Sequence, residues 1–363
     1  MKKNKNYVDL KDQPVPEGQH LLEVDDLKMY FHTEDGVVRA VDGVSYTLDR
    51  GETLGVVGES GSGKSVTAMT IMGLISMPPG KIEGGDVRYR GRSILEMTEE
   101  EMQHIRGNDI AMIFQDPMTS LNPVYKIGKQ VGEGLRLHRG YSKQEALKRA
   151  TELLDLVGIP EPEKRVNEYP HQFSGGMRQR VMIAMALACD PYILIADEPT
   201  TALDVTIQAQ IIELMQEMQE KNGNAIIMIT HDLGVVADMA DKIMVMYAGR
   251  PVEFGTAEEI FYESRHPYTW GLIRSIPEQA IDEKKPLTPI HGNPPSLMNL
   301  PEGCVFSPRC PYATDKCRKQ RPERVVTESG HYSACHYSGD PEFLKNAPET
   351  SRTRMDSKKG GEA

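Results

Sequence analysis

Residues Gly58 to Ser65 have the composition and spacing of a loop that binds phosphate. They read Gly-Glu-Ser-Gly-Ser-Gly-Lys-Ser and fit the pattern G-x-x-x-x-G-K-[ST]. Glycines let backbone N–H groups turn inward around phosphate oxygens, and a following helix N-terminus favours an anion. Lys64 is expected to reach the terminal phosphates and the Ser65 hydroxyl to bind Mg²⁺, with a Gly/Ser turn that binds nothing as the alternative. The predicted contacts are Gly58, Glu59, Ser60, Gly61, Ser62, Gly63, Lys64, Ser65 and Val66.

Two adjacent carboxylates end a short apolar segment further along the chain. Tyr192 to Ala196 is predicted to be a buried strand, and Asp197 and Glu198 follow it directly. In proteins with a phosphate loop, a neighbouring strand carries an aspartate near Mg²⁺, which suits Asp197. Glu198 would then orient or deprotonate the attacking water. The alternative is an Asp-Glu-Pro turn that only begins a helix.

Two further polar residues also follow predicted strands. His231 comes after Ala225 to Thr230, and Gln115 follows Ile110 to Phe114. Because ligands bind at the carboxyl ends of parallel strands, His231 is predicted to meet the terminal phosphate or to position Glu198. Gln115 is predicted to contact Mg²⁺ or the attacking water. Taken alone, a histidine after a strand is more often a solvated loop residue.

A second glycine-rich segment, Ser174-Gly175-Gly176, begins a predicted helix from Met177 to Cys189. A serine and two glycines at a helix N-terminus form another site for an anion. One nucleotide needs only one such loop, and more than a hundred residues separate the two segments. The sequence therefore predicts that Ser174, Gly175 and Gly176 cover a nucleotide held by a second subunit. An ordinary helix cap is the alternative.

The elements that position these residues alternate between strand and helix. Ser142 to Val157, for example, has the pattern of an amphipathic helix that ends before Gly158. The alternation predicts an α/β fold, with a mostly parallel sheet flanked by helices. Strand-rich sequence from Leu21 predicts an antiparallel β subdomain, and the amphipathic segments between residues 95 and 165 predict a helical one.

Composition limits the class of protein. Of the 363 residues, 39% are hydrophobic and 26% are charged, as in globular proteins. The formal net charge of −11 disfavours nucleic acid as a partner. No apolar run approaches the ~18 residues of a membrane span, and the basic N-terminus lacks the apolar segment of a signal peptide. The chain is therefore expected to stay in the cytoplasm, where cysteines are reduced.

The ordered set of motifs resembles the ATP-binding subunit of an ABC transporter, a P-loop NTPase, over about residues 21 to 260. The resemblance implies ATP and Mg²⁺ as ligands and ATP hydrolysis as the activity. It makes Gln115 the Q-loop glutamine, Asp204 a D-loop residue and His231 the switch histidine. Phe31 falls where that family places the aromatic ring that stacks on adenine, with Tyr30 as the alternative.

The signature segment departs from the usual Leu-Ser-Gly-Gly-Gln of that family. Phe173 replaces the leucine and Met177 replaces the glutamine. A methionine cannot donate the hydrogen bonds of a glutamine amide. Because the serine and both glycines are present, a working signature with altered detail is expected.

Segments 114–123 and 169–177, and the tail from His266 onward, are similar to the peptide/nickel importer branch, the oligopeptide and dipeptide ATPases. The resemblance implies an ATPase peripheral on the cytoplasmic side of the cell membrane, which powers peptide uptake. Its partners would be two permease subunits, a second homologous ATPase in a heterodimer or homodimer, and an extracellular peptide-binding protein. Pro117 to Tyr125 is the segment expected to receive a helix of a permease. Import of nickel or another small solute is the alternative.

Two rivals come from other classes of protein. The first is an ABC protein of translation or DNA repair, but those proteins usually fuse two cassettes or insert a long coiled coil, and this sequence has neither. The second is an iron-dependent sensor in which the C-terminal region carries the main function and ATP hydrolysis is accessory.

Four of the five cysteines follow one another in the C-terminal region with the spacing C-x5-C-x6-C-x17-C. In a reducing compartment such a cluster favours a metal over disulfides. Structural zinc usually uses C-x₂₋₄-C pairs, whereas four thiolates on irregular loops suit an iron–sulfur cluster of the 4Fe–4S type, which the importer resemblance also implies. Zinc, with His331 or His336 as substitute ligands, and free thiols or disulfides are the alternatives. The predicted cluster ligands are Cys304, Cys310, Cys317 and Cys335.

These patterns divide the chain into four parts. Residues 1–20 are predicted to be a flexible leader and 21–265 the ATP-binding domain. Residues 266–340 form a small cysteine-rich C-terminal extension, and 341–363 are predicted to be a disordered tail. Cys189, inside an apolar helix, is predicted to be a small core residue.

Overall fold

A computed structural model describes residues 14–116, 120–200, 205–275 and 290–348. Its strands are β1 (Leu22–Thr33), β2 (Gly36–Leu48), β3 (Thr53–Val57), β4 (Gly80–Tyr89), β5 (Arg92–Ser93), β6 (Ile110–Ile113), β7 (Ile193–Asp197), β8 (Ala225–Thr230), β9 (Lys242–Tyr247), β10 (Arg250–Thr256), β11 (Val325–Val326) and β12 (Tyr332–Ser333). Its helices are α1 (Lys64–Ile71), α2 (Glu99–Ile105), α3 (Ile127–His138), α4 (Lys143–Leu156), α5 (Pro162–Arg165), α6 (Gly175–Leu187), α7 (Val205–Asn222), α8 (Leu233–Met239), α9 (Ala257–Tyr262), α10 (Pro267–Arg274), α11 (Asp315–Lys319) and α12 (Pro341–Leu344). Within these ranges, the helices lack the combination of length and apolarity that crossing a bilayer requires.

The chain is divided between two compact units, and each unit is assembled from separated segments. The first contains Met1–Glu23, Thr47–Glu52 and Arg88–Met228. The second contains Val24–Tyr46, Thr53–Val87 and Ile229–Ala363. The unit boundaries therefore do not coincide with the boundary predicted at residue 265.

The second unit is built on five consecutive strands in the order β11-β12-β10-β9-β3. β3 is parallel to β9, with Gly55 opposite Ile243, and every residue of β3 is buried. β9 pairs with β10, and β10 with β12, in antiparallel register. In the same unit β1 lies between β2 and β4, and only two residues join β1 to β2, as in a hairpin. β1, β2 and β4 form the β subdomain that the sequence predicted from Leu21 onward.

The first unit combines a parallel strand pair with packed helices. β6 and β7 pair in parallel, with Ile113 opposite Ala196. Helices α3, α4 and α6 pack against one another and provide the predicted helical subdomain. α4 begins at Ser142, whose side chain accepts a hydrogen bond from the Glu145 N–H while Glu145 caps in return. Both units thus show the α/β class expected from the sequence.

The C-terminal region differs from its sequence prediction at its end. Residues from 341 onward were expected to be disordered, but Pro341–Leu344 forms α12 and Ala347 is fully buried. The physical reason is an aromatic cluster, because the Phe343 ring lies 5.3 Å from Trp270 and 5.3 Å from Tyr337. Leu344 is followed by a turn in which the Ala347 N–H donates to its carbonyl.

Candidate nucleotide site

The predicted phosphate loop joins β3 to α1 in a backbone conformation that only glycine tolerates at two positions. Gly58 has a φ of +151°, and a Cβ there would lie 2.2 Å from the Met246 carbonyl oxygen. Gly63 has a φ of +99°, and its Cβ would lie 2.3 Å from the Ala40 carbonyl oxygen. Both contacts are with backbone, which cannot move aside as a flexible side chain can. The glycines of the motif are therefore required by close approach as well as by dihedral angle.

Lys64 places its ammonium group inside this loop. The residue is only 5% exposed, and its Nζ donates to the carbonyl oxygens of Gly58 and Glu59 at 2.7 Å and 3.0 Å. Lys64 is the first residue of α1, so its charge adds to the partial positive charge of a helix N-terminus. A buried cation at a helix start favours an anion such as phosphate. Ser65, the predicted magnesium contact, follows it and is half-buried.

A hydrogen-bond relay supports the loop from β2 and β10. The Gly249 N–H donates to the Ser62 carbonyl at 3.0 Å, and the Asp42 N–H donates to the Gly249 carbonyl at 2.8 Å. The Asp42 carboxylate accepts from the Tyr30 hydroxyl at 3.0 Å and from Arg250 at 2.8 Å. Although burial raises the pKa of Asp42, the charge and hydrogen bonds of Arg250 outweigh it and hold that pKa below its usual range.

This relay bears on the predicted adenine contact. The Tyr30 hydroxyl is engaged with Asp42, whereas the neighbouring Phe31 carries no polar group and is half-buried. In a strand the two side chains point to opposite faces. Phe31 therefore remains the predicted stacking residue, and Tyr30 acts in the support of the loop.

The predicted metal strand ends in a strained residue. All five residues of β7 are buried, including Asp197 at 2% exposure. Glu198, the next residue, has a φ of +47°, in the left-handed region that costs a non-glycine residue on the order of 1–3 kcal/mol. Such strain persists where the surrounding structure fixes a functional geometry. Here it turns Glu198 away from the strand direction directly after Asp197.

Gln115 and Glu198 come together because their strands are parallel neighbours. The Gln115 Nε2 donates to the Glu198 Oε2 at 3.0 Å. β6 and β7 pair along their length, so the residues that follow both strands emerge at the same edge. A glutamine amide that donates to a carboxylate restricts its orientation. The two side chains therefore lie together at the edge of the sheet where the two strands end.

The signature segment forms the N-terminus of α6. The Ser174 hydroxyl accepts from the Met177 N–H at 3.3 Å and caps the helix. Ser174 and Gly175 are exposed, and a Cβ at Gly175 would meet no atom within 4 Å. Phe173, which stands where the family usually has leucine, is 2% exposed, so its side chain packs in the core. The backbone N–H groups of this helix start face open space that another molecule can enter.

The remaining predicted residues are distributed between the two units. His231 is exposed and follows β8 in the second unit, which also contains the phosphate loop. Asp232, next to it, caps α8 by accepting from the Gly234 N–H at 2.8 Å. Asp197, Glu198, Gln115 and the signature belong to the first unit. Asp204 and residues 117–119 lie outside the described residues.

Sequence reasoning missed two contacts of these motifs. The Gln179 amide is buried and donates to the Pro199 carbonyl at 2.6 Å, which ties α6 to the turn after Glu198. Glu59, inside the phosphate loop, forms a two-point ion pair with Arg309 of the cysteine-rich region. No pattern in the sequence marks either partner, because 20 and 250 residues separate the two ends of these contacts. The only signal was that Arg309 precedes a cysteine already singled out.

The four C-terminal cysteines line one pocket, together with aromatic side chains and His336. All five cysteines are unbridged in the structure. Burial raises the pKa of Cys304, and raises that of Cys310 to about 11 and that of Cys335 to about 12. Among the residues that the structure describes, no three His, Cys, Asp or Glu side chains are placed to hold one metal ion.

Two other predictions concern single residues of this kind. Cys189 is 1% exposed and belongs to the core, as expected. His331, the suggested substitute ligand for zinc, is 1% exposed and lies 3.1 Å from the Glu253 carboxylate, where it contacts β10. His336 instead contacts the Gln320 carbonyl at 2.9 Å from the cavity wall.

Two family models match the sequence. The model described as ABC transporter matches residues 41–201, and the model described as oligopeptide/dipeptide transporter, C-terminal region, matches residues 252–317. A dimeric structure of a post-hydrolysis state of the ATP-binding cassette MJ0796, bound to ADP and Pi, has a TM-score of 0.60 at 29% identity and covers 65% of this chain and 98% of that chain. Fold and phosphate loop thus place the chain among the ABC-type ATPases.

Curated relatives resolve the branch. The oligopeptide transport ATP-binding protein OppD of Bacillus subtilis (strain 168) is 58% identical over 312 residues, which are 86% of this chain and 87% of that protein. The dipeptide transport ATP-binding protein DppD of Escherichia coli (strain K12) is 52% identical over 320 residues, 88% of this chain and 97% of that protein. The chain belongs to the oligopeptide and dipeptide transport branch of the ABC transporter ATP-binding proteins. The family and fold class expected from the sequence are confirmed.

Proposed function

We propose that this chain is the ATP-hydrolysing subunit of an importer of oligopeptides or dipeptides. It lies on the cytoplasmic side of the cell membrane and works with two permease subunits, a second ATPase subunit and an extracellular peptide-binding protein. The observation that carries the proposal is the phosphate loop, with its glycine-only backbone and the buried Lys64, in a chain 58% identical to an oligopeptide transport ATP-binding protein.

The loop residues bind the phosphates of ATP. Backbone N–H groups from Gly61 to Ser65 surround the β-phosphate, and Lys64 contacts the β- and γ-phosphates. By the motifs they occupy, Ser65, Gln115 and Asp197 would hold the magnesium ion, which would supply positive charge against the phosphates. Asp197 is 2% exposed, and burial strengthens such an interaction because the local dielectric is low.

Glu198 acts on the attacking water. The Gln115 amide donates to its carboxylate and orients it, and in this proposal the carboxylate accepts a proton from the attacking water. His231 and Asp204 complete the hydrolytic site in this proposal, His231 by meeting the γ-phosphate and Asp204 by joining the two subunits. Each of these roles follows from the motif that the residue occupies in the family.

The signature of one subunit covers the nucleotide bound to the other. The exposed N–H groups at Ser174, Gly175 and Gly176 open a thirteen-residue helix, where an anion is stabilised by the helix dipole. Two bound nucleotides then hold two subunits together, and hydrolysis releases them. The half-buried Met177 cannot add the amide hydrogen bonds of a glutamine at this place.

The test is nucleotide binding and hydrolysis by the assembled transporter. Lys64→Ala should abolish ATP binding, because the loop then lacks its only ammonium group, while a wild-type complex should hydrolyse ATP faster when peptide and binding protein are added. ATP affinity that survives in Lys64→Ala contradicts the phosphate-loop assignment. Stimulation by nickel or another small solute instead of peptide would move the cargo assignment to that alternative.

We propose in addition that the cysteine-lined cavity holds an iron–sulfur cluster of the 4Fe–4S type. A single zinc ion needs its sulfur ligands to converge within about 2.3 Å of one point. The described residues offer no three ligands arranged for one ion, yet all four cysteines line one pocket. A cluster is larger than an ion and can be reached by thiolates that are further apart. Cys304, Cys310, Cys317 and Cys335 would be its ligands, and the group would supply four metal–thiolate bonds that hold irregular loops together.

Anaerobic purification tests the cluster. The wild type should be brown, with iron and sulfide in stoichiometric amounts, and Cys310→Ser should lose most of the colour. Cys189→Ser is the matched control, because Cys189 is buried just after the end of α6 and is not one of the residues that line the pocket. Colourless protein that contains one zinc per chain would replace the cluster with zinc.

A segment after the Q-loop is the proposed contact with a permease. Val124 is 70% exposed and Tyr125 44% exposed, while Leu121 in the same segment is 4% exposed. Two large exposed apolar side chains next to a buried anchor suit a protein contact. Val124→Asp should weaken the assembly of this chain with the permease without changing the ATP affinity of the isolated chain.

A further inference from the structure

Glu59 puts a negative charge in the middle of a loop that binds a polyphosphate. Its side chain is 29% exposed, and its own carbonyl oxygen accepts from Lys64 at 3.0 Å. An unneutralised carboxylate at this place repels the phosphates that the loop is built to bind. The loop therefore needs a cation that faces Glu59 from outside the nucleotide motifs.

Arg309 supplies that cation. Its two terminal nitrogens donate to the two carboxylate oxygens of Glu59 at 2.6 Å and 2.9 Å, a bidentate pair. The Arg309 side chain is only 4% exposed. Screening by solvent is consequently weak, and the two-point geometry fixes the orientation of the carboxylate.

The other donors of Arg309 are also satisfied, so the guanidinium is held in one position. Its Nε donates to the His291 carbonyl at 2.9 Å, and a terminal nitrogen donates to the Ile290 carbonyl at 3.1 Å. A third contact runs to the Tyr247 hydroxyl at 3.3 Å. These partners include β9, which lies beside β3, the strand that leads into the loop.

The backbone of Glu59 is held by the same region of the chain. The Glu59 N–H donates to the Tyr268 hydroxyl at 2.9 Å. Tyr268 packs on Tyr247 and Phe306, with ring centroids 4.6 Å and 5.3 Å away. Both the side chain and the main chain of Glu59 thus depend on residues that follow the ATP-binding motifs in sequence.

We propose that Arg309 is a positioning residue of the nucleotide site, which neutralises Glu59 and holds the phosphate loop in the shape that binds ATP. The proposal rests on the function proposed above. It differs from the role of Lys64, because Arg309 acts on the nucleotide only through Glu59. Its effect on affinity must accordingly depend on whether residue 59 is charged.

The experiment measures binding of a fluorescent ATP analogue to the purified full-length chain. Arg309→Ala should weaken binding at least tenfold, because it leaves the Glu59 carboxylate unpaired beside the phosphates. Arg309→Lys should bind the analogue with an affinity between those of wild type and Arg309→Ala, since an ammonium keeps the charge without the two-point geometry. Arg318→Ala is the matched control, because that arginine is exposed and pairs only with the exposed Asp315.

Two further measurements separate positioning from a general loss of structure. Glu59→Gln combined with Arg309→Ala should bind the analogue more tightly than Arg309→Ala alone, because no charge is then left unpaired. The loss in Arg309→Ala should also be larger for ATP than for ADP, and smallest for adenosine, since repulsion grows with the number of phosphates.

Failure of this inference is distinguishable from failure of the proposed function. If wild type binds ATP and Lys64→Ala does not, the nucleotide site stands whatever Arg309 does. Equal affinity of wild type and Arg309→Ala, additive effects of the two substitutions, or equal losses for ATP and adenosine would each overturn the role of Arg309. Circular dichroism of every variant identifies a chain that has unfolded, and Arg309→Lys provides the comparison in that event.

Discussion

Glu198 is the general base of the function proposed above, and its geometry suits that role. It is strained at φ +47° and is held by the Gln115 amide at 3.0 Å, so its carboxylate has one fixed orientation. Orientation of a base is worth more than its basicity alone, because the water must be in line with the phosphate that it attacks.

Glu198→Gln should slow ATP hydrolysis by roughly 10²–10⁴, or about 2.7–5.4 kcal/mol, the usual contribution of a general base. ATP affinity should change little, since the phosphate loop is intact. Single-turnover hydrolysis together with nucleotide binding measures both quantities. Gln115→Ala should give a smaller loss, because the base is still present, and turnover equal to wild type in Glu198→Gln would remove Glu198 from this role.

His266 makes the free energy of unfolding depend on pH. It is 1% exposed, its Nδ1 accepts from the Tyr268 N–H at 3.1 Å, and burial lowers its pKa from 6.5 to about 4. Because the folded pKa lies below the unfolded one, the unfolded chain takes up the proton first as the pH falls. The contribution of neutral His266 to the free energy of unfolding is therefore complete above about pH 6.5. It falls by about 3 kcal/mol between that pH and pH 4.

Urea unfolding at pH 7 and pH 5 checks this expectation for His266. His266→Asn keeps a side chain that can cap α10 but cannot take up a proton in this range. The free energy of unfolding of His266→Asn should fall less between pH 7 and pH 5 than that of wild type. An equal loss in both proteins would assign the acid sensitivity to other groups.

At the scale of elements, helix starts determine what this chain presents to its surroundings. α4 and α6 are both capped by a serine that accepts from the N–H three residues later, at 3.3 Å in each case. The α4 start has a glutamate that returns the hydrogen bond, whereas the α6 start has Met177 in the corresponding place and leaves N–H groups exposed. The same serine cap thus occurs in a helix with no proposed ligand and in the helix proposed to cover a nucleotide.

Ser174→Ala should prevent the ATP-dependent closure of the two ATPase subunits while ATP binding to each subunit remains. Ser142→Ala is the matched control, because it removes a cap of the same geometry, worth about 1 kcal/mol, from a helix that has no nucleotide role. Crosslinking of the assembled complex in saturating Mg-ATP measures closure. Closure that is lost equally in both variants would assign the effect to stability.

The elements also show which parts of the site were accessible from sequence. Gln115 and Glu198 could be placed together because they follow strands of one parallel pair, and strand ends are recognisable by apolar runs. Arg309 and Gln179 could not, because a contact across 250 or 20 residues depends on register that no local pattern encodes. The order of residues 341–348 has no local signal, because Phe343 is a single aromatic residue in a polar segment and its partner Trp270 lies far back in the sequence. Residues 349–363 of the predicted disordered tail lie outside the described residues.

At the scale of the whole molecule, the cysteine-rich region is continuous with the ATP-binding domain. β12 pairs with β10, and Tyr247 of β9 packs on Tyr268 and Phe306. A chain that ends at residue 265 loses the buried aromatic side chains of Tyr268, Trp270, Phe306 and Tyr332, each worth about 1.5–3 kcal/mol, in addition to Arg309. That sum approaches the total stability of an ordinary domain.

Truncation after residue 265 should therefore yield a chain that unfolds or aggregates instead of an active ATPase. A chain that ends after residue 348 retains every described contact and should melt as wild type does. Thermal unfolding followed by circular dichroism compares the two. A cooperative transition of wild-type midpoint in the shorter chain would show that the extension is an independent domain.

The order of segments in the second unit has a consequence for synthesis on the ribosome. β3 is made early, yet its parallel neighbour β9 emerges almost two hundred residues later, and the arginine that faces Glu59 later still. A nascent chain that already displays the complete phosphate motif thus lacks the neighbours that hold it in shape. If Arg309 has the role proposed above, a nascent chain should bind ATP well only after residues beyond Arg309 have left the ribosome.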